Sequence, residues 1–104
     1  MITLKALYPQ PTDVAKFDAD YAEHIKLFHT KTGIPTNERP YTITKFMPSP
    51  DGSPAPFYQM FSMPFESIEA FQATMADAGF QEVAADAVRI SSGGAPVMLA
   101  GDES

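Results

Sequence analysis

The sequence predicts an α+β fold in which strands and helices follow one another in the order βαββαβ. Two segments repeat apolar residues at the spacing of an α-helix, and four short segments carry the β-branched and aromatic residues typical of strands. Proline- and glycine-containing stretches separate these segments. Because 104 residues is the usual size of one domain, we expect residues 1–104 to form a single domain.

The first strand and helix are well marked. Ile2–Tyr8 is apolar and ends at a proline pair, which predicts a strand. Asp13 is a suitable helix N-cap, and Gly33 can adopt the left-handed conformation that often ends a helix. The spacing therefore predicts a helix over about residues 13–31, with one face formed by Phe17, Tyr21, His24 and Phe28.

Two further strands follow on either side of a long connection. Tyr41–Met47 alternates β-branched and aromatic residues, which predicts the second strand. Pro48–Pro56 contains four prolines and a glycine and predicts a loop. Phe57–Met63 is the predicted third strand, and we expect Pro64 to end it because proline lacks an N–H donor.

The last third of the chain repeats the helix-then-strand pattern. A second helical stripe begins with Ile68, Phe71 and Met75. The helix is expected to stop or kink at Gly79 and to resume over Gln81–Val88. Pro96–Ala100 is the predicted last strand, and residues 101–104 are expected to fray.

The order of elements predicts a ferredoxin-like arrangement. Right-handed crossovers in two tandem units produce a four-stranded antiparallel sheet with both helices on one face. The strands carry apolar residues on both faces, such as Leu4 and Leu7, so the uncovered face needs a partner. A second copy of the sheet would cover it, and we expect a homodimer that forms a dimeric α+β barrel.

Composition and charge exclude several classes of function. The net charge is −6, and residues 46–104 contain a single base, Arg89, against eight acids. No basic cluster exists that would attract nucleic acid or an anionic membrane surface, so neither partner is expected. The absence of cysteine excludes disulfides and thiolate chemistry. With no signal-peptide pattern at the start, we expect a cytoplasmic protein.

The sequence lacks the motifs of metal and nucleotide enzymes. It contains no phosphate loop, no dinucleotide fingerprint and no nucleophile elbow. His24 and His29 are five residues apart, which places them about 140° apart around a helix and prevents them from binding one metal. We therefore expect no metal and no cofactor.

His24 is the strongest candidate for chemistry. It lies on the aromatic face of the first helix, and Asp20 is one turn before it, where a carboxylate could orient the imidazole. Tyr21 could assist as a neighbouring hydroxyl at the edge of the core, so we take His24, Asp20 and Tyr21 as catalytic candidates. The alternative is a structural histidine with one hydrogen bond and a tyrosine that serves only packing.

Three further residues are candidates for ligand binding. Tyr41 could face the uncovered side of the sheet, Lys45 could pair with an anionic ligand, and Phe28 shares the face of His24. Packing and solvation are the ordinary roles for these residues. His29 is expected at the surface.

The sequence resembles the EthD family over nearly its whole length. The resemblance rests on Leu4-Lys5-Ala6-Leu7-Tyr8, on the spacing of Asp13, Phe17, Tyr21 and His24, and on Lys31-Thr32-Gly33-Ile34. A later run, Phe71-Gln72-Ala73 through Ala85-Asp86, is also similar. His24 matches the histidine characteristic of the family. That histidine is commonly followed two residues later by proline, whereas Lys26 stands at that position here.

The resemblance implies a dimeric α+β barrel but leaves the activity open. The family is named for a role in bacterial degradation of fuel ethers beside a monooxygenase. Relatives in the same superfamily include cofactor-free oxygenases, cyclases, isomerases and haem enzymes. One hypothesis is a metal-free enzyme in which His24 moves a proton on a small apolar or aromatic compound. The other is a non-catalytic, ligand-binding accessory of an oxygenase; haem binding lacks any further signature.

Overall fold

The computed structural model describes residues 1–103 and shows one antiparallel sheet with three helices. The elements are β1 (Ile2–Pro9), α1 (Val14–Thr32), β2 (Thr42–Lys45), β3 (Phe57–Phe65), α2 (Ile68–Ala76), α3 (Ala78–Ile90) and β4 (Val97–Asp102). The strand order is β2-β3-β1-β4. The ferredoxin-like α+β fold predicted from the sequence is therefore confirmed.

Helix α1 begins and ends as its sequence indicates. The Asp13 carboxylate accepts a hydrogen bond from the backbone N–H of Lys16 at 3.0 Å, which satisfies one of the free donors at the helix start. At the other end Gly33 has a φ of 75°, the left-handed conformation that glycine adopts without a steric penalty. The two caps fix the ends of α1, whose aromatic face packs on the sheet.

The core lies between the helices and one face of the sheet. Leu4, Ala6 and Tyr8 of β1 are buried on this face and pair with residues of β3 such as Met63 and Phe61. The rings of Tyr8 and Phe17 meet edge to face at 5.4 Å, which joins the sheet to α1. Strand alternation thus directs every second residue of β1 toward the helices.

Strand β3 continues through Pro64, contrary to the prediction that this proline ends it. Pro64 pairs with Thr3 of β1, whereas the pairing of β3 with β2 extends only as far as Ser62, opposite Thr42. Beyond Ser62 the strand is paired on one side only, so it needs fewer N–H donors there. A proline is tolerated in that edge-like position.

The break in the second helical region lies at Asp77, not at the predicted Gly79. Asp77 ends α2, and its carboxylate accepts a hydrogen bond from the Phe80 N–H to begin α3. Gly79 has a different role, because a Cβ there would lie 2.9 Å from the Lys31 carbonyl oxygen. The glycine permits the close approach of α3 to α1.

The chain end is more ordered than predicted. Gly101 and Asp102 belong to β4 and pair with Thr3 and Ile2, and the Glu103 N–H donates to the Met1 carbonyl at 2.8 Å. The predicted fraying of this segment is therefore wrong for residues 101–103, and Ser104 lies outside the described residues. Backbone pairing with β1 supplies the order that composition alone does not indicate.

The second strand is shorter than predicted, and the segment after it forms a loop. β2 covers only four residues, although the Phe46 N–H still donates to the Tyr58 carbonyl at 2.9 Å. Between β2 and β3, Gly52 has a φ of 85° within a turn closed by Ser49 and Ser53. The predicted loop over Pro48–Pro56 is confirmed.

The sheet face opposite the helices carries exposed or half-buried apolar side chains. These are Leu7, Met60, Val97 and Leu99. All six residues of β4 are exposed, because this edge strand pairs with β1 alone.

No helix within residues 1–103 is long and apolar enough to cross a membrane.

Candidate functional site

A cavity of about 120 Å³ lies between the helix-facing side of the sheet and the helices. Its walls are almost entirely apolar and come from β1, β3, β4 and all three helices, with Phe28, Phe61, Phe80 and Met98 among them. Met98 is 44% exposed, so the cavity reaches the surface beside β4. Two polar side chains, His24 and Tyr8, also line it.

His24 is held in this cavity by Asp86 of α3. The side chain is 5% exposed, and its Nδ1 lies 2.8 Å from Oδ2 of Asp86. An ionised carboxylate at this position accepts a hydrogen bond from the Nδ1–H group, which fixes the neutral tautomer with its hydrogen on Nδ1. The Nε2 lone pair is then free to accept a hydrogen bond or a proton.

Burial and Asp86 act on the pKa of His24 in opposite directions. Burial lowers the pKa of His24 below its ordinary value, and the hydrogen bond and charge of Asp86 raise it by a smaller amount. The net effect is a lowered pKa, so His24 is neutral at neutral pH. A neutral imidazole with a free Nε2 is a hydrogen-bond acceptor and a candidate general base.

Arg89 fixes the Asp86 carboxylate from the opposite side. Its Nε donates to Oδ1 of Asp86 at 2.7 Å, and its side chain is 59% exposed. Burial alone would raise the pKa of Asp86, but hydrogen bonds from Arg89 and His24 together lower it. The carboxylate therefore stays ionised and keeps accepting from His24. The chain Arg89–Asp86–His24 leads from the surface to the cavity wall.

The structure corrects the predicted partner of His24. Asp20 pairs with Lys16, whose Nζ lies 2.8 Å from Oδ2 of Asp20, whereas the carboxylate that hydrogen-bonds to His24 is that of Asp86. The spacing of one helical turn places Asp20 beside His24 along the helix. His24, however, turns inward to the cavity, whereas Asp20 turns toward solvent. Asp86 takes the orienting role instead.

Tyr21 is enclosed in the core instead of reaching its edge as predicted. Its ring stacks on Phe17 at 5.7 Å and lies 5.5 Å from the His24 ring. Its hydroxyl and Nε2 of Gln59 are buried without hydrogen-bond partners among residues 1–103. Burial raises the pKa of the Tyr21 hydroxyl, and the nearby Gln59 amide opposes this without reaching hydrogen-bond geometry. Tyr21 packs against His24 and does not line the cavity.

Of the predicted ligand-binding residues, Phe28 lines the cavity and the other two do not. Lys45 Nζ lies 3.2 Å from Oδ1 of Asp18 at the surface, which raises the pKa of Lys45. Tyr41 faces the helices, not the uncovered side of the sheet, because its ring stacks on Phe61 at 5.2 Å. Lys45 and Tyr41 are therefore outside this site.

His29 is buried, contrary to the prediction of a surface position. Its Nδ1 lies 3.0 Å from the Ile34 carbonyl oxygen, and its Nε2 lies 2.8 Å from the Tyr41 hydroxyl. A carbonyl can only accept, so Nδ1 carries the hydrogen and Nε2 accepts from Tyr41. Both ring nitrogens are satisfied, which is the pattern of a structural histidine. The segment after α1 folds back over it.

Two residues of the site were missed by the sequence analysis, although weak signals existed. Tyr8 follows Leu4 and Ala6 in strand alternation, which places it on the same inward face. Asp86 borders the buried stripe of α3 that includes Val83 and Ala87. Because Asp is rarely buried without a partner, a carboxylate beside a buried helical stripe is a candidate for pairing.

Metal-binding residues do not gather anywhere in the described part of the chain. No three His, Cys, Asp or Glu side chains within residues 1–103 form a group that could hold a metal ion.

Together, the fold and the site define a ferredoxin-like α+β protein with an apolar cavity and an aspartate-held histidine at its wall. The sequence profile of the EthD domain matches residues 9–94, which covers most of the chain. The chain therefore belongs to the EthD family. No curated protein matches the sequence.

Solved structures share the fold of this chain. An ethyl tert-butyl ether D family protein from Bacillus halodurans C-125 shares 28% identity, with a TM-score of 0.81 over 100% of this chain and 99% of that chain. An EthD-like protein from Ralstonia eutropha JMP134 has 24% identity and a TM-score of 0.67 over 97% and 89%. A dimeric ferredoxin-like protein of unknown function from Jannaschia sp. CCS1 has 10% identity and a TM-score of 0.68 over 98% and 97%.

Proposed function

We propose that this EthD-family protein binds a small, largely apolar or aromatic molecule in the cavity beside His24. The observation that carries the proposal is the free Nε2 of a buried imidazole whose other nitrogen is held by Asp86. A histidine that served only structure would have both nitrogens satisfied, as His29 has. The open nitrogen supports a ligand contact at His24.

The size and polarity of the cavity support a ligand of one ring. Its volume of about 120 Å³ is close to that of an apolar protein cavity, of roughly 150 Å³, that holds benzene. The apolar walls favour a hydrocarbon body, and His24 provides one point of polar contact. Acid/base chemistry without a metal, as in an isomerase, a cyclase or a cofactor-free oxygenase of degradative metabolism, fits this arrangement.

Binding of phenol and of toluene tests this proposal. The phenol hydroxyl can donate to Nε2 of His24, whereas toluene offers only the ring. We expect both to bind and phenol to bind about five-fold more tightly, the effect of one hydrogen bond of about 1 kcal/mol. His24→Leu should remove this preference and keep toluene binding. Lys45→Ala, a change outside the cavity, should alter neither.

The result also separates the two hypotheses about function. Failure of both probes to bind at millimolar concentration would contradict the proposed pocket. Binding without any measurable proton transfer on a ligand would favour the non-catalytic accessory of an oxygenase system. Binding with proton transfer that His24→Gln abolishes would favour the enzyme.

We also propose that the protein is a cytoplasmic homodimer in which the two sheets face one another. Val97 and Leu99 lie on the uncovered face beside Leu7, which leaves apolar area of the kind that monomers rarely expose. A second copy has the matching surface, since a two-fold interface pairs a patch with itself. The charge of Lys5 on this face is balanced by Glu103 at 3.9 Å.

Light scattering tests the dimer. The expected mass is about twice the 11.3 kDa of one chain. Leu99→Lys should yield monomers, because a charge would be buried in the interface. Val88→Lys is the matched control, since Val88 and Leu99 are each 55% exposed but Val88 lies on α3. A monomeric wild-type protein would contradict the dimer.

A further inference from the structure

Tyr8 is the second polar side chain at the wall of the cavity. It is 1% exposed, and its ring is fixed edge to face against Phe17 at 5.4 Å and Tyr21 at 5.5 Å. No residue in the described range hydrogen-bonds to its hydroxyl. Within residues 1–103 the fully enclosed side-chain polar atoms without a partner are the Tyr21 hydroxyl and Nε2 of Gln59. The Tyr8 hydroxyl is not one of them and Tyr8 lines the cavity, so we infer that this hydroxyl faces the cavity space.

The two polar groups of the cavity have complementary hydrogen-bonding roles. Burial raises the pKa of Tyr8, and the charge of Asp86 raises it further, so the phenol stays protonated and donates. Nε2 of His24 accepts, because its Nδ1 hydrogen is committed to Asp86. Tyr8 and His24 line the same cavity of about 120 Å³, so the donor and the acceptor face one small space.

The charge of the site selects a neutral ligand. No Lys or Arg side chain in the part of the chain that the structure describes lines the cavity, and the one nearby guanidinium, Arg89, is paired with Asp86 at the surface. An anionic ligand would lie close to the ionised Asp86 without a compensating cation. Carboxylate ligands are therefore disfavoured.

We propose that the ligand is a small neutral carbonyl compound whose oxygen accepts from Tyr8 while a hydrogen on the adjacent carbon meets Nε2 of His24. This rests on the proposed function and specifies its ligand class. A carbonyl flanked by a C–H group presents an acceptor and a weakly acidic hydrogen close together, which matches the donor and acceptor of the cavity. A hydrocarbon would satisfy neither group.

The pair can move one proton without a co-reactant. Nε2 of His24 forms a bond to the hydrogen as the C–H bond breaks, and the electron pair passes to the carbonyl oxygen. The resulting enolate oxygen accepts a hydrogen bond from Tyr8, a donor preorganised in an apolar cavity. Return of the proton from Nε2 to a conjugated carbon yields the isomerised carbonyl compound. Where solvent first replaces the Nε2 proton with a deuteron, its delivery to the same carbon yields the exchanged compound. Either path restores neutral His24.

Exchange of the α-hydrogens of cyclohexanone in D₂O, followed by proton NMR, tests the proposal. We expect the wild-type protein to accelerate exchange over buffer and His24→Gln to lose this effect. Tyr8→Phe should slow protein-catalysed exchange by about 100-fold, the typical effect of removing one such donor. Tyr58→Phe, a change at the surface beside Asp18, should leave the rate unchanged. Circular dichroism verifies the fold of each variant.

A second measurement uses the wild-type protein alone. The infrared stretch of carbonyl-labelled cyclohexanone should lie at lower wavenumber in the bound state than in hexane, because Tyr8 donates to the oxygen. Tyr8→Phe exchanging as fast as wild type, an unshifted stretch or no exchange above buffer would each overturn the proposal. Toluene binding distinguishes failure of the proposed pocket from failure of the proposed ligand class. If toluene still binds, the pocket stands and only the assignment of a carbonyl ligand fails.

Discussion

Replacing Asp86 with leucine removes the group that holds His24, and the structure allows the cost to be estimated. The change leaves the Nδ1 hydrogen of His24 buried without an acceptor, which costs about 1–3 kcal/mol. Arg89 loses the same partner but is exposed, so it contributes little. A net loss of about 2 kcal/mol lowers the melting temperature by about 8–16 °C in a domain of this size.

Asp20→Leu is the matched control for this prediction. It removes the carboxylate that helical spacing favours as the partner of His24 but that pairs with Lys16 at the surface. Its free energy of unfolding should change by no more than about 0.5 kcal/mol. Urea denaturation at neutral pH measures both variants. Equal stability of Asp86→Leu and Asp20→Leu, or a larger loss in Asp20→Leu, would refute the assigned partner.

The remaining predictions concern pH, the loop and the second histidine. Because the pKa of His24 is lower in the folded protein, the unfolded chain binds more protons below about pH 6.5. The free energy of unfolding should therefore fall as the pH drops below about 6.5, by at most about 1.4 kcal/mol per pH unit. Urea titrations should show a shallower fall of this free energy in His24→Gln. Replacing Pro48–Pro56 with Asn-Gly should shift the melting temperature by only a few degrees, roughly 4–8 °C per kcal/mol, and a collapse of the fold would contradict this. Tyr41→Phe should cost about 1–3 kcal/mol in urea, because Nε2 of His29 is left buried without a donor; an effect no larger than that of Tyr58→Phe would contradict it.

Local patterns in the sequence were sufficient for the fold and for His24. The aromatic face of α1 has the helical period, and alternation in β1 identifies the residues that face it. These patterns depend on neighbouring residues, so they predict which side of an element is buried. They therefore predicted that His24 points into the core.

The partners of His24 depend on how distant elements meet, and local patterns do not contain that information. Asp86 is 62 residues from His24 in the sequence and reaches it because α3 packs against α1 through Gly79. Spacing within one helix favoured Asp20 as the partner, but the Asp20 carboxylate pairs with Lys16 instead. His29 was placed at the surface for the same reason, since Tyr41 covers it only after the chain folds back.

The central claim is that the cavity beside His24 is the ligand site, and nuclear Overhauser effects from bound toluene test it most directly. The Met98 and Met75 methyl groups and the Phe61 ring line this cavity, whereas Leu7 lies on the opposite face of the sheet. We expect contacts from toluene to the first three residues and none to Leu7. Contacts to Leu7 without any to Met98, Met75 or Phe61 would contradict the claim.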